Sequence, residues 1–311
     1  MTATALLAGY GADLVAGDPD RWHPVAGFGR VAAALERALY APSRARGAIV
    51  TCALVAGAAA TGELLARASA KLTGRRHAAL ALTTWTALGG RSLRREALRL
   101  ASLIECGELV EARVQLRSLC GRDATDMDRP GLCRAVVESV AENTSDAMVG
   151  ALAWGAVGGP AGVAAYRAAN TLDAMFGHRS ERYASFGWAS AKLDDAMSWP
   201  AARLSSMIAC AAAPVVGGAP LETLRVVHRY GGSHPSPNAG QIEAAFAGAL
   251  GLQLGGPLGY GDGVQARPRL GDGRRPGVED VRRATRLSLA VGTVAAVACA
   301  MLRSVVAGGA R

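Results

Sequence analysis

ESVAENTSDAMVGALAWGAVGGPAGVAAYRAANTLDAMFGHRSERYASFGWASAKLDDAMSWPAAR, residues 138–203, is the stretch whose reading decides the fold. Inside it, residues 147–166 carry no charge, and carboxylates, amides and arginines border them on both sides. A packed core needs no such border, whereas a reaction site built at a membrane surface does. The apolar run is interrupted by Gly158-Gly159-Pro160, which adds backbone freedom and removes a donor. Two half-helices joined there are expected to dip into the bilayer and return, leaving Asp146 and Asn170 on one side. Non-helical backbone at that depth is tolerated only where protein or a wet cavity covers it.

Other apolar stretches lie outward from this one, at residues 48–66 (with Glu63 inside), 78–90, 204–221 and 287–302, the last continuing beyond Arg303. A spanning helix needs about 20 mostly apolar residues, and several of these meet or approach that length. The stretch at 204–221 is broken by Pro214, Gly217-Gly218 and Pro220. The expected fold is all-α: a polytopic integral membrane helical bundle with short or re-entrant helices and a cytoplasm-facing polar site. It is read as a single domain over residues 1–311, with its motifs concentrated between residues 130 and 270. A soluble bundle of buried Ala-rich helices is the competing architecture.

Composition agrees with close packing of small residues. Half the chain is hydrophobic yet only 5% is aromatic, and there are 39 glycines, as membrane helix interfaces favour. The net charge of +9 comes from basic residues spread along the chain. That suits basic loops beside apolar segments and argues against nucleic acid as a partner. None of the six cysteines forms a CxxC pair, so neither a disulfide framework nor a zinc pattern is visible. Residues 1–17 make a poor secretory signal and are short for a span. Residues 91–122 place Leu93, Ala97, Leu100, Leu103 and Ile104 at helical spacing, which predicts a surface helix, and residues 230–277 are turn-rich.

Several polar groups have spacing suited to chemistry. Glu138, Glu142 and Asp146 recur every four residues, with Asn143 beside them. Like charges at that spacing cost about 0.2–0.5 kcal/mol per pair, so a cation such as Mg²⁺ or the nearby Arg134 is expected to offset them. Arg167, Asn170 and Asp173 share a helix face among small alanines that leave room for a ligand. Arg179 and Arg182 offer planar forks suited to phosphate or carboxylate. Lys192 precedes Asp194 and Asp195, whose side chains point about 100° apart on a helix and therefore serve different partners. In His234-Pro-Ser-Pro-Asn238, Asn238 is placed to cap a helix with Gln241 at N3, offering free N–H groups to an anion, and Glu243 follows one turn in. The Gly-rich run at residues 254–263 is a weak phosphate signal, and no Walker A, GxGxxG, GxSxG or HExxH motif is present. Asp18-Pro19 reads as a turn.

In combination, GDPDRWHPV, ESVAEN with Asp146, YRAANTLDAMFGHR, ERYASFGWASAKLDD and HPSPNAGQIEAAFAGALGLQLGG resemble the cobalamin biosynthesis protein family of adenosylcobinamide-phosphate synthases. The resemblance runs in order over most of the chain. It implies an integral membrane enzyme that couples aminopropanol, or its phosphate, to a propionate carboxylate of adenosylcobyric acid, with ATP and Mg²⁺. On that reading Glu142, Asn143, Asp146, Asn170 and Asp173 surround Mg²⁺. Arg167, Arg179, Arg182, Lys192, Ser236, Asn238, Gly255 and Gly256 hold phosphate or substrate carboxylate, and Asp146, Asp173, Asp194, Asp195, His234 and Glu243 are the catalytic candidates. Ser198 stands where Asn is as often expected. A corrinoid transporter, a non-catalytic membrane carrier or scaffold, and a membrane phosphotransferase of the same pathway are the competing functions. Lipid is the implied surroundings, and a homo-oligomer or a complex with other corrinoid enzymes is left open.

Overall fold

The computed structural model describes residues 2–19, 23–73, 76–120, 124–178, 180–256, 258–260, 263–265 and 267–309. In chain order the helices are α1 (Thr2–Ala16), α2 (Pro24–Leu39), α3 (Arg44–Thr73), α4 (Arg76–Ala87), α5 (Gly90–Glu105), α6 (Leu109–Leu116), α7 (Arg129–Asn143) and α8 (Gly150–Leu172). They are followed by α9 (Tyr183–Phe186), α10 (Trp188–Ala212), α11 (Pro220–Tyr230), α12 (Ala239–Leu250) and α13 (Val278–Gly309). Sheet is confined to short antiparallel pairs, β1 (Leu254–Gly255) with β4 (Arg269–Leu270), and β2 (Leu258–Tyr260) with β3 (Gly263–Gln265). Two π-helical segments, Thr144–Val149 and Asp173–Gly177, flank α8.

This is the all-α bundle expected, and among the described residues four helical runs are long and apolar enough to cross a membrane: Arg44–Leu72, Arg129–Gly177, Trp188–Val216 and Val278–Gly308. The second is not one rod. Gly159 adopts φ 60°, ψ −148°, and the chain reverses there. A Cβ added at Gly150 would fall 2.1 Å from the Tyr166 ring, and one at Gly162 would fall 2.3 Å from the Trp154 carbonyl oxygen. In a straight helix residues 150 and 166 would be about 24 Å apart. α8 is therefore a re-entrant helical hairpin whose arms meet through glycine. Continued outward, the register sets Asp146 across from Asn170. Arg303 Nη1 donates to the carbonyls of Ala156 (3.3 Å) and Val157 (3.2 Å), covering carbonyls that the broken helix leaves orphaned. Arg303→Ala is expected to destabilise the protein by about 1–3 kcal/mol, the range for leaving a buried polar group unmet. Thermal melting in detergent measures it, and an unchanged melting temperature would mean the tip does not need this clamp.

The chain clusters into two compact units. Unit 1 comprises residues 1–89, 146–201 and 295–311, and unit 2 comprises residues 90–145 and 202–294. In unit 1, Ala32, Val50, Leu54, Leu172, Phe176 and Phe186 form a buried cluster joining α2, α3, α9 and the end of the hairpin. Gly62 of α3 meets the hairpin tip so closely that a Cβ there would lie 2.5 Å from the Pro160 carbonyl oxygen. In unit 2, α5 buries Leu93, Ala97, Leu100 and Ile104, the apolar stripe its spacing predicts. Within it, Arg274 grips Asp280 through two 2.7 Å bonds, and Arg283 donates to the Val216 and Leu250 carbonyls at helix ends. The six cysteines are all free.

Candidate active site

Unit 1 holds the denser polar cluster, and the hairpin assembles it. Arg167 Nη1 donates to Asn170 Oδ1 (3.1 Å), and Asn170 Nδ2 donates to Asp194 Oδ1 (3.3 Å). Ser198 Oγ donates to the same Asp194 oxygen (3.3 Å) and lies 3.2 Å from the Tyr166 hydroxyl. Asp194 is 8% exposed and Tyr166 is fully buried, so this chain of bonds fixes one carboxylate from beneath. Asp18, Asp146 and Asp194 all act electrostatically on the Arg167 guanidinium. Arg167 Nε and Asp18 Oδ1 are buried without a hydrogen-bond partner among the described residues. Buried polar atoms are seldom left so, and a ligand bound here would meet both.

Asp146 and Asp173 each lie in a π-helical segment. Such segments occur mostly as single-turn bulges, often at functional sites. They re-aim side chains that an unbroken α-helix would hold on a fixed stripe. Asp173 is held over Gly177: a Cβ at Gly177 would lie 1.8 Å from Asp173 Oδ1. Gly177→Ala should leave the fold intact, because a flexible carboxylate can move aside, yet lower turnover at least about tenfold, as expected when a catalytic group is displaced by an ångström. Turnover and melting temperature measured together test this, and wild-type turnover would remove Asp173 from the site.

An apolar cavity of about 390 Å³ opens beside the cluster, between α2, α3, α4 and α8, with Phe28, Leu65, Leu82 and Val163 among its walls. Arg167 lines it too, so one guanidinium faces both the cavity and the acidic groups.

Arg182 and Lys192, also in unit 1, have partners of their own. Arg182 is engaged with buried Glu36 (2.7 Å) and lies over the Tyr40 ring at 4.0 Å. The bond to Glu36 raises its already high pKa, so the contacts seen for this guanidinium tie loop to helix. Lys192 is exposed and sits 3.4 Å from Asp195, so the two adjacent carboxylates do have different partners. Arg179 lies outside the described residues. Glu142 and Asn143 end α7 in unit 2, where Asn143 Nδ2 turns back onto the Ser139 carbonyl at 2.9 Å. Among the described residues no three His, Cys, Asp or Glu side chains converge as a metal cage. Mg²⁺ usually takes one or two carboxylates plus substrate phosphates, and the acidic groups around Arg167 fit only that shared mode.

In unit 2 the structure corrects two details. Asn238 does not cap α12 with its side chain. Ser236 Oγ accepts from the Asn238 and Ala239 N–H groups (3.3 and 3.2 Å), while Asn238 Oδ1 accepts from Arg203 Nη1 (2.8 Å). The double proline turns Ser236, not Asn238, toward the helix end. Nor are the Gly255 and Gly256 amides open to phosphate: Gly255 N–H donates to Glu138 Oε1 (2.6 Å) and Gly256 N–H to the Pro268 carbonyl (3.2 Å). Glu138 is thereby a loop anchor, with Arg134 Nε 3.9 Å away. Both His234 nitrogens have neighbours, the Ser236 N–H on Nδ1 (3.0 Å) and Arg267 Nη1 near Nε2 (3.2 Å). A neutral imidazole has one ring lone pair, and on either nitrogen it would already meet an N–H donor here. Glu243 is buried on α12.

The sequence reading overlooked Asp18, Tyr166 and Gly177 as site residues. Asp18 had a signal in its position inside the GDPDRWHPV motif. Tyr166 had one in being the only aromatic on the returning arm, but the role of Gly177 depends on a backbone geometry that spacing does not encode.

Comparison with known proteins gives a consistent family. A family model described as CobD/Cbib protein matches residues 6–288. The chain is 50% identical over 302 residues to the cobalamin biosynthesis protein CobD of Mycobacterium tuberculosis (strain ATCC 25618 / H37Rv), covering 96% of this chain and 95% of that one. It is 37% identical over 310 residues to the protein of the same name from Pelobacter propionicus, covering 94% of each. With the Rhizobium meliloti protein, also so named, identity is 38% over 297 residues and 91% of each chain. No solved structure matches.

Proposed function

We propose, for a chain that belongs to the CobD/CbiB family, a role in cobalamin biosynthesis as a multi-pass enzyme of the cell membrane. In this role it joins aminopropanol or its phosphate, as an amide, to a propionate carboxylate of adenosylcobyric acid, using ATP and Mg²⁺. The observation that carries this reading is the hairpin, which returns the chain so that Asp146 acts on Arg167, the residue that also bonds Asn170 and lines an apolar cavity.

A carboxylate is a poor electrophile; its attack on the terminal phosphoryl group of ATP would give an acyl phosphate with ADP leaving, and attack of the amine on that acyl group would form the amide with inorganic phosphate leaving. The chain's own part is positioning and charge. Arg167 offers a fork to the propionate or to phosphate oxygens. Asp146, Asp173 and Asn170 would hold Mg²⁺ jointly with those oxygens. The attacking amine must lose a proton, and a carboxylate of this cluster accepts it, the more so because His234 has neighbours on both nitrogens. The apolar walls keep water from the activated acyl group.

The test is coupling by detergent-purified protein, offered adenosylcobyric acid with each amine, with and without Mg²⁺. Amide product with stoichiometric ADP is expected. Absence of product in protein that binds the corrinoid would replace the ligase with a carrier or scaffold.

A further inference from the structure

The apolar cavity of unit 1 has walls whose polar groups are engaged elsewhere. Four of its lining residues are threonines, Thr61, Thr83, Thr86 and Thr171. Each hydroxyl turns back onto its own helix, donating to the carbonyls of Gly57 (2.8 Å), Ala79 (2.9 Å), Leu82 (3.0 Å) and Arg167 (2.7 Å) respectively. A threonine has one donor, so the cavity gains none from these four. Among the described residues Arg167 is the one charged side chain in the walls, and Asp18, Asp146 and Asp194 already act on its guanidinium. A water inside would need about two to four polar partners, which these walls do not supply. An anionic head group beside Arg167 would meet the same three carboxylates. The space suits hydrocarbon.

Position says where the hydrocarbon comes from. Val163 (1% exposed) and Ala168 (3%) lie at the inner end of the cavity, while Leu65 (44%) and Leu82 (50%) are exposed at its rim. Leu65 belongs to α3, a helix long and apolar enough to cross a membrane and most of whose apolar window is exposed. A rim on a spanning helix faces the bilayer, so the cavity opens sideways into lipid. Size agrees. An apolar cavity of about 150 Å³ takes up benzene, a molecule of six carbons; on that scale about 390 Å³ has room for about fifteen. That is the length of one lipid tail, and a corrin macrocycle with its side chains is far larger. Inside a bilayer the gain is not escape from water but the dispersion contacts that an empty cavity forfeits. We propose that this cavity takes up one acyl chain of a bilayer lipid, recognised by its chain and not by its head group. So filled, it leaves no space for water beside Arg167. The assignment goes beyond the ligase reading and does not rest on it: ligation is measured in detergent and chain entry in a bilayer, so either can fail alone.

The full-length protein would be placed in nanodiscs containing a phosphatidylcholine with a diazirine in mid-chain, irradiated, and its adducts located by peptide mass spectrometry. Adducts are expected on Val163 or Ala168, buried residues that lipid outside the protein does not touch. Ile49 and Leu64, exposed on α3, should be labelled by any surrounding lipid and serve as the reference. Ala164→Phe and Ala58→Phe, made separately, fill the cavity from α8 and from α3. Each should abolish the inner adducts and leave those on Ile49 and Leu64. Replacing phosphatidylcholine by a phosphatidylglycerol with the same diazirine chain should give the same inner adducts, because the chain is what enters. Wild-type labelling confined to the exposed residues would overturn the proposal, as would inner adducts that persist in both filled variants. Inner adducts given by the phosphatidylglycerol alone would overturn recognition by chain. Inner adducts lost on adding adenosylcobyric acid would overturn it too, by giving the cavity to the corrinoid.

Discussion

Gly150→Ala should sharply lower the melting temperature of the protein, and should lower it much less when made in a Tyr166→Ala background. The new methyl group would stand 2.1 Å from the Tyr166 ring, a fully buried side chain that cannot swing away without breaking its contact with Ser198. Overpacking of this kind costs about 1–3 kcal/mol. Tyr166→Ala alone should cost about 3–5 kcal/mol, as for other large aromatics. If the two residues touch, the double variant should be less damaged than the sum by about 0.5–3 kcal/mol. In an unbroken helix the same residues, about 24 Å apart, would not couple. Additive effects would therefore mean that the chain does not reverse at Gly159. The cycle tests the feature on which the site depends, since without reversal Asp146 and Asn170 separate.

That reversal was legible in the sequence. Gly158-Gly159-Pro160 marks a break, and the polar border at both ends of the run gives the break a purpose. The amphipathic stripe of α5 was equally readable, because burial follows periodicity. Groups whose meaning rests on three-dimensional closure were not. Ser236 and Asn238 are two residues apart, and which of them reaches the helix amides is decided by the path the prolines impose. Gly255 and Gly256 have the composition of a phosphate loop, yet their N–H groups are taken by Glu138 and by the Pro268 carbonyl, partners distant in sequence. Arg182 shows the same limit: its fork fits a phosphate, but its neighbours in space are Glu36 and Tyr40. Spacing identifies which residues can act. Long-range hydrogen bonds decide which of them are already engaged.

Replacing either π-segment carboxylate should have the largest effect on catalysis. Asp146→Asn and Asp173→Asn keep size while removing the negative charge that a cation or a departing amine proton requires. Turnover should fall by about 10²–10⁴-fold, the usual contribution of a positioned acid or base. The melting temperature should be retained, because neither substitution changes side-chain size. Asp194→Asn is a sharper case, since Asn170 Nδ2 and Ser198 Oγ both donate to the same carboxylate oxygen. Asn170→Ala removes one of those donors and so lets Asp194 move. If Asn170 acts by positioning Asp194, the loss in the Asn170→Ala, Asp194→Asn double variant should be no greater than in Asp194→Asn alone. Multiplied losses would give Asn170 a separate task, such as a direct bond to the cation or to phosphate. Wild-type turnover in both Asp146→Asn and Asp173→Asn would sink the metal-site assignment.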